Sequence, residues 1–380
     1  MRPFDFQPRT RVLFGPGTLS RLGEVAKGLD RKRALVVSDP GIVAAGYSAQ
    51  AVELLEAAGL KSFVFSGVEE NPTTRHVDAG LSFARENEID LLVGLGGGSS
   101  MDCAKGINFL LTNGGRMADY WGVGKAAKPM LPLIAIPTTA GTGNEAQSFA
   151  LIADEKSHRK MACGDPKAAP ALAILDPELT VTQPAAVTAV TGIDAISHAV
   201  ETWVTKKRNP VSRLYSQEAW RLLSESFPLI LRDPSNIEAR GKMQLGANYA
   251  GAAIENSMLG AAHSCANPLT ANYGIVHGAA VGLMLPAVIR FNAAEVGDLY
   301  AELAGSPTGP AGLAGQIEEM MRQAGLPTTL SARGIPEESF PRLAEEAATQ
   351  WTANFNPRRV TAKDLLQIYR SVNEQSPERK

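Results

Sequence analysis

Only five histidines occur in the 380-residue chain, and three of them, His198, His263 and His277, lie in a stretch otherwise rich in small apolar residues. Asp194 precedes His198 by four positions, which places a carboxylate and an imidazole on one face of a helix. Pro268 and Gly274 separate His263 from His277, so these two belong to different elements that converge. One aspartate and three imidazoles suit Fe2+ or Zn2+, with room left for a substrate oxygen. The competing explanation is a set of hydrogen-bonded core histidines, which for a lone buried histidine is the commoner case.

A second group of residues points to phosphate. Gly96-Gly97-Gly98-Ser99 ends the apolar run Ile89–Leu95 and opens a helical pattern through Asp102 and Lys105. Free N–H groups and the helix dipole make such a junction a place for an anion, and Ser99 with Asp102 fits a capping box. The same junction also serves as a plain strand-to-helix connection. Pro137-Thr138-Thr139-Ala140-Gly141-Thr142-Gly143-Asn144-Glu145 likewise follows an apolar run, Leu133–Ile136. Loops at the carboxyl ends of parallel strands gather on one sheet edge, so these two loops and Asp39 outline a dinucleotide cleft. Asp39 suits the ribose hydroxyls and its charge opposes a 2′-phosphate, which favours NAD over NADP. Its alternative role is to start the turn at Pro40-Gly41.

These residues need two different supports. Through about residue 180, short β-branched or apolar runs (34–38, 62–65, 89–95, 133–136) alternate with helical patterns, the mark of βα units on a mostly parallel sheet. Phe149–Ile152 and Ala171–Leu175 read as further strands, outside the central sheet. After Asp176-Pro177 strand signals give way to alanine- and leucine-rich helical stretches. The expected division is an α/β dinucleotide-binding domain over 1–182 and an all-α domain over 183–380. No Asp, Glu, Lys or Arg occurs from Asn256 to Ile289. Polar and Pro interruptions there leave no clean apolar run of about 20 residues, so tightly packed internal helices are expected rather than a membrane span. Gly260, Gly278 and neighbouring alanines would allow close backbone approach.

The composition narrows the rest. Lys plus Arg number 37 and Asp plus Glu 39, for a net charge of −2, which argues against a protein that neutralises nucleic-acid phosphates. Three scattered cysteines, Cys103, Cys163 and Cys265, make no disulfide framework, and the N-terminus has no apolar secretory core. A cytoplasmic enzyme without nucleic-acid or membrane partners is expected.

The chain resembles the iron-containing, group III alcohol dehydrogenase family over nearly its whole length. The resemblance lies in Gly-Gly-Gly-Ser-x-x-Asp-x-Ala-Lys at 96–105, Pro-Thr-Thr-Ala-Gly-Thr-Gly at 137–143 with Asn144 for the usual serine, Gly192-x-Asp194-Ala-x-x-His198-Ala-x-Glu201, and His277-Gly278. It implies a Rossmann-like N-terminal domain and a helical C-terminal domain in a dehydroquinate synthase-like architecture, with metal and nicotinamide held between them. By position, the metal ligands would be Asp194, His198, His263 and His277. Asp39, Asn71, Gly97, Gly98, Ser99, Thr138, Thr139, Thr142 and Lys160 would face the dinucleotide, with Asp102 part of the phosphate motif. Many members carry a histidine four residues after the third ligand, used in proton transfer. Here Asn267 stands there, beside the substrate, and an amide cannot shuttle a proton near neutral pH. Ile254, Met258, Leu259 and Cys265 flank the ligands and suggest a moderately apolar pocket.

The implied reaction is hydride transfer between a small alcohol or aldehyde and NAD. Its rivals are a maleylacetate reductase-like oxidoreductase and a dehydroquinate synthase-like lyase, the latter disfavoured by the absence of basic residues in 256–289. A homo-oligomer, most simply a dimer, is expected.

Overall fold

The computed structural model describes residues 3–157, 159–305 and 308–374; His158 lies outside them. Two compact units are present, Gln7–Gln183 and Pro184–Lys380 with Met1–Phe6.

The first unit is built on a six-stranded, all-parallel sheet. Its strands are β1 (Arg11–Phe14), β2 (Arg33–Val37), β3 (Lys61–Phe65), β4 (Leu91–Gly96), β6 (Leu133–Pro137) and β9 (Leu172–Leu175), in the order β1-β9-β6-β4-β2-β3. A small second sheet holds β5 (Gly122–Val123), β7 (Phe149–Ala153) and β8 (Lys160–Gly164). Alternate residues of β2 serve opposite faces, as the period of two requires. Leu35 and Val37 pack with Val77 and Ile107, whereas Ala34 and Val36 pack with Leu22 and Leu55. The helices concerned are α4 (Thr74–Glu86) and α5 (Gly98–Asn113) on one side, and α1 (Leu22–Lys27) and α3 (Tyr47–Ala57) on the other. A sheet covered on both faces explains why β4 is buried along its whole length.

From β2 the chain steps outward to β3, then crosses back to β4 and continues to β6. That reversal between β2 and β4 is the place where doubly wound sheets bind ligands. One expectation is corrected and one strand is added. The strand at 171–175 is not outside the central sheet: β9 lies within it, paired with both β1 and β6. The strand β1, Arg11–Phe14, is not among the expected strands; it is a four-residue edge strand that is largely exposed.

The second unit contains no strand among its described residues. Its helices are α6 (Ala185–Val204), α7 (Pro210–Arg232), α8 (Ile237–Ser257), α9 (Ala261–Tyr273), α10 (His277–Ala304), α11 (Gly309–Gln323), α12 (Phe340–Ala348) and α13 (Ala362–Glu374). α10 is long and apolar enough to cross a membrane, but 72 % of its most apolar 18-residue window is buried inside the fold, as a core helix requires. Close approach is visible at Gly278, where an added Cβ would lie 2.0 Å from the Val190 carbonyl oxygen of α6. The first turn of α10 is thus seated directly on the α6 backbone.

Candidate functional site

In the first unit, Asp39 ends β2, the glycine run ends β4, and Thr138 follows β6, all at the carboxyl edge of neighbouring strands. The Asp39 carboxylate caps the short helix α2 (Pro40–Ala44), a segment inserted before α3, by accepting from the Gly41 and Ile42 N–H groups at 2.9 and 3.1 Å. Its other oxygen accepts from the Ser100 hydroxyl at 3.4 Å. Asp39 therefore starts a turn and also borders the glycine loop. The Thr138 N–H donates to the Gly96 carbonyl at 2.9 Å. A Cβ on Gly98 would come within 2.8 Å of Thr142 Cγ2 and one on Gly97 within 3.5 Å of Thr139 Cγ2, so glycine lets the two loops pack while leaving the first N–H groups of α5 for an anion.

Asn71, Ser99 and Lys160 also meet. The Asn71 N–H donates to Ser99 Oγ at 3.3 Å, and Lys160 Nζ donates to Asn71 Oδ1 at 3.4 Å. The expected capping box is not formed: α5 is preceded by Gly97, with no side-chain cap. Asp102 instead accepts from Asn144 Nδ2 at 2.6 Å and from the Leu151 N–H at 3.0 Å. Burial pushes its carboxyl above the ordinary value, with nearby Lys105 opposing. Lys105 is completely buried and donates to Asn144 Oδ1 and to the carbonyls of Asn144, Gln147 and Phe149. Asp102, Asn144 and Lys105 thus brace the two loops beneath the surface offered to a ligand.

In the second unit, three helices supply the histidine cluster. α6 presents Asp194 and His198, α9 presents His263 in its first turn, and His277 begins α10. Donor atoms of Asp194, His263 and His277 lie within 4.8 Å of one another. His198 completes the group, its Nε2 3.5 Å from Asp194 Oδ1 and its ring stacked on His263 at 5.0 Å. Asp194, His198 and His263 are 3–4 % exposed. His263 Nε2 is buried without a hydrogen-bond partner, 3.8 Å from Asp194 Oδ1, too far for a hydrogen bond. A buried ring nitrogen with no hydrogen-bond partner beside a carboxylate is a costly arrangement that a cation would relieve. The donor set therefore fits a divalent metal of the Fe2+ or Zn2+ type.

Asn267 lies one turn after His263, half-buried, and its Nδ2 donates to Gln350 Oε1 at 3.0 Å. Cys265 is fully buried, its carbonyl accepts from the Tyr369 hydroxyl at 2.6 Å, and burial raises its thiol. Two residues after His263, it lies on a different face of α9 from that ring. Sequence reasoning gave no role to Glu201. It accepts from His263 Nδ1 at 2.5 Å, and its spacing of seven residues from Asp194 and three from His198 was the available signal.

Residues 8–177 match the family described as iron-containing alcohol dehydrogenase, and residues 188–373 match its C-terminal family. The NAD-dependent methanol dehydrogenase of Bacillus methanolicus is 35 % identical over 97 % of this chain and 99 % of its own. The 1,3-propanediol dehydrogenase of Klebsiella pneumoniae is 33 % identical over 98 % and 99 %. A solved 1,3-propanediol oxidoreductase superimposes with a TM-score of 0.93 at 33 % identity, covering 98 % of this chain and all of that one.

Proposed function

Because the chain belongs to the iron-containing alcohol dehydrogenase family, we propose a division of labour among its own residues. It is a metal-dependent oxidoreductase acting on the CH–OH group, moving a hydride between a small alcohol or aldehyde and NAD. In our reading Asp194, His198, His263 and His277 hold the cation. When bound, Fe2+ or Zn2+ supplies Lewis acidity that lowers the pKa of the substrate hydroxyl, and NAD supplies the hydride acceptor. The observation that carries this reading is the buried, unpartnered His263 Nε2 beside Asp194.

The remaining assignments follow from position. The first N–H groups of α5, at Gly97, Gly98 and Ser99, take the pyrophosphate, with Thr138, Thr139, Thr142, Asn71 and Lys160 around it. Asp39 takes the ribose hydroxyls and discriminates against NADP, while Asp102 acts from below as a brace. Asn267 offers an amide hydrogen bond to the substrate and no titratable proton. The enzyme is read as a cytoplasmic homodimer without nucleic-acid or membrane partners. The open edge of β1, with Val12 and Phe14 exposed, favours self-association, which light scattering can measure.

Stripping the protein with a chelator should abolish alcohol-dependent NADH formation, and Fe2+ or Zn2+ should restore it. Unchanged turnover after complete stripping would refute the metal assignment. Stoichiometric NADH accumulation separates this activity from a lyase that regenerates its cofactor.

A further inference from the structure

Glu201 is 3 % exposed and lies on the ligand-bearing helix α6. Its Oε1 accepts from the Ala262 N–H at 2.7 Å, and its Oε2 accepts from the Gly260 N–H at 3.2 Å and contacts His263 Nδ1 at 2.5 Å. We propose that Glu201 is a positioning residue, which holds His263 in the Nδ1–H tautomer and so aims a bare Nε2 at the metal. This rests on the reading of the four-residue cluster as a metal centre.

The argument is one of donors and acceptors. The start of α9 has N–H groups with no intrahelical partner and the positive end of the helix dipole, and Gly260 has no side chain to cap them. Glu201 caps two of them, and Asn356 Oδ1 accepts from a third, at Ala261, at 3.2 Å. A carboxylate accepts only, so the proton of the Glu201–His263 hydrogen bond sits on Nδ1. The other ring nitrogen then keeps its lone pair, in agreement with the absence of a hydrogen-bond partner at Nε2. A second carboxylate behind a ligating imidazole fixes ring orientation and raises its basicity.

A glutamine cannot substitute. With its amide oxygen toward the Ala262 N–H, its NH2 opposes the Gly260 N–H and faces His263 Nδ1, driving the proton to Nε2, where it blocks the ligand lone pair. In the opposite orientation the NH2 confronts the Ala262 N–H.

Nitrogen-15 histidine spectra of the metal-free protein test the tautomer without any substitution at Glu201, His263 being assigned by its absence in His263→Gln. The expected signal is Nδ1–H, and an Nε2–H tautomer overturns the proposal. Zinc affinity, measured by chelator competition, should fall about 10- to 100-fold in Glu201→Gln. Asn356→Ala removes a cap from the same helix without touching His263, and its zinc affinity should stay near the wild-type value. Wild-type affinity in Glu201→Gln, or an equal loss in both variants, reduces Glu201 to a helix cap. A wild-type chain that binds no zinc or iron ends the metal reading itself.

Discussion

Lys105, Asn144 and Asp102 satisfy one another beneath the dinucleotide loops, whereas the histidine cluster leaves the buried Nε2 of His263 without a partner. The first region is complete as a protein: a buried ammonium, an amide and a carboxylate bond one another beneath the glycine loop proposed to meet the dinucleotide. In the second, imidazoles and a carboxylate converge on a point that a cation would suit. Polar burial thus serves shape in one unit and chemistry in the other. Substitutions in each should fail differently.

The largest effect is expected at His277→Ala. Loss of one ligand should lower turnover about a thousandfold or more, the several kcal/mol that Lewis-acid stabilisation supplies, while NAD titrations give nearly the wild-type dissociation constant. Equal loss of NAD binding would erase the distinction between the two regions. Next comes Lys105→Met, which strands three carbonyls and the Asp102 carboxylate. It should cost about 3–5 kcal/mol in denaturant unfolding and weaken NAD binding, with zinc affinity unchanged in the fraction that folds. Asp39→Gly should be the mildest. Glycine in place of aspartate at a helix N-cap costs only a few tenths of a kcal/mol, so a rise of about tenfold in the NADP-to-NAD ratio of kcat/KM would report on the ribose contact alone. Unchanged selectivity would leave Asp39 as a helix cap.

What could be read from the sequence was what lies close along the chain. Asp194 and His198 are one helical turn apart, a glycine run follows β4 and a Thr- and Gly-rich loop follows β6, so the residues of both candidate sites could be picked out locally. Pairings across the chain did not. Ser99 and Asp102 matched a capping box, yet Asp102 bonds Asn144, 42 positions away, and nothing in the local pattern distinguishes the two outcomes. β9 is short and flanked by prolines at 170 and 177, and neither feature tells which strands lie beside it. β1 is a short run whose three apolar residues, Val12, Leu13 and Phe14, are consecutive and so show no alternation. The role of Glu201 was hidden for the same reason, since its partner comes from another helix.

The Glu201–His263 hydrogen bond spans 62 positions. Closing a loop of that length costs about 4 kcal/mol of chain entropy, far more than one hydrogen bond returns. The contact is therefore a product of folding and not a seed for it. On the proposed ligand set, a chain with α6 formed but neither α9 nor α10 docked would offer an ion only Asp194 and His198, two groups on one helical face. High-affinity metal uptake should then lag behind the docking of α9 and α10 during refolding, which makes the ion a reporter of finished tertiary structure.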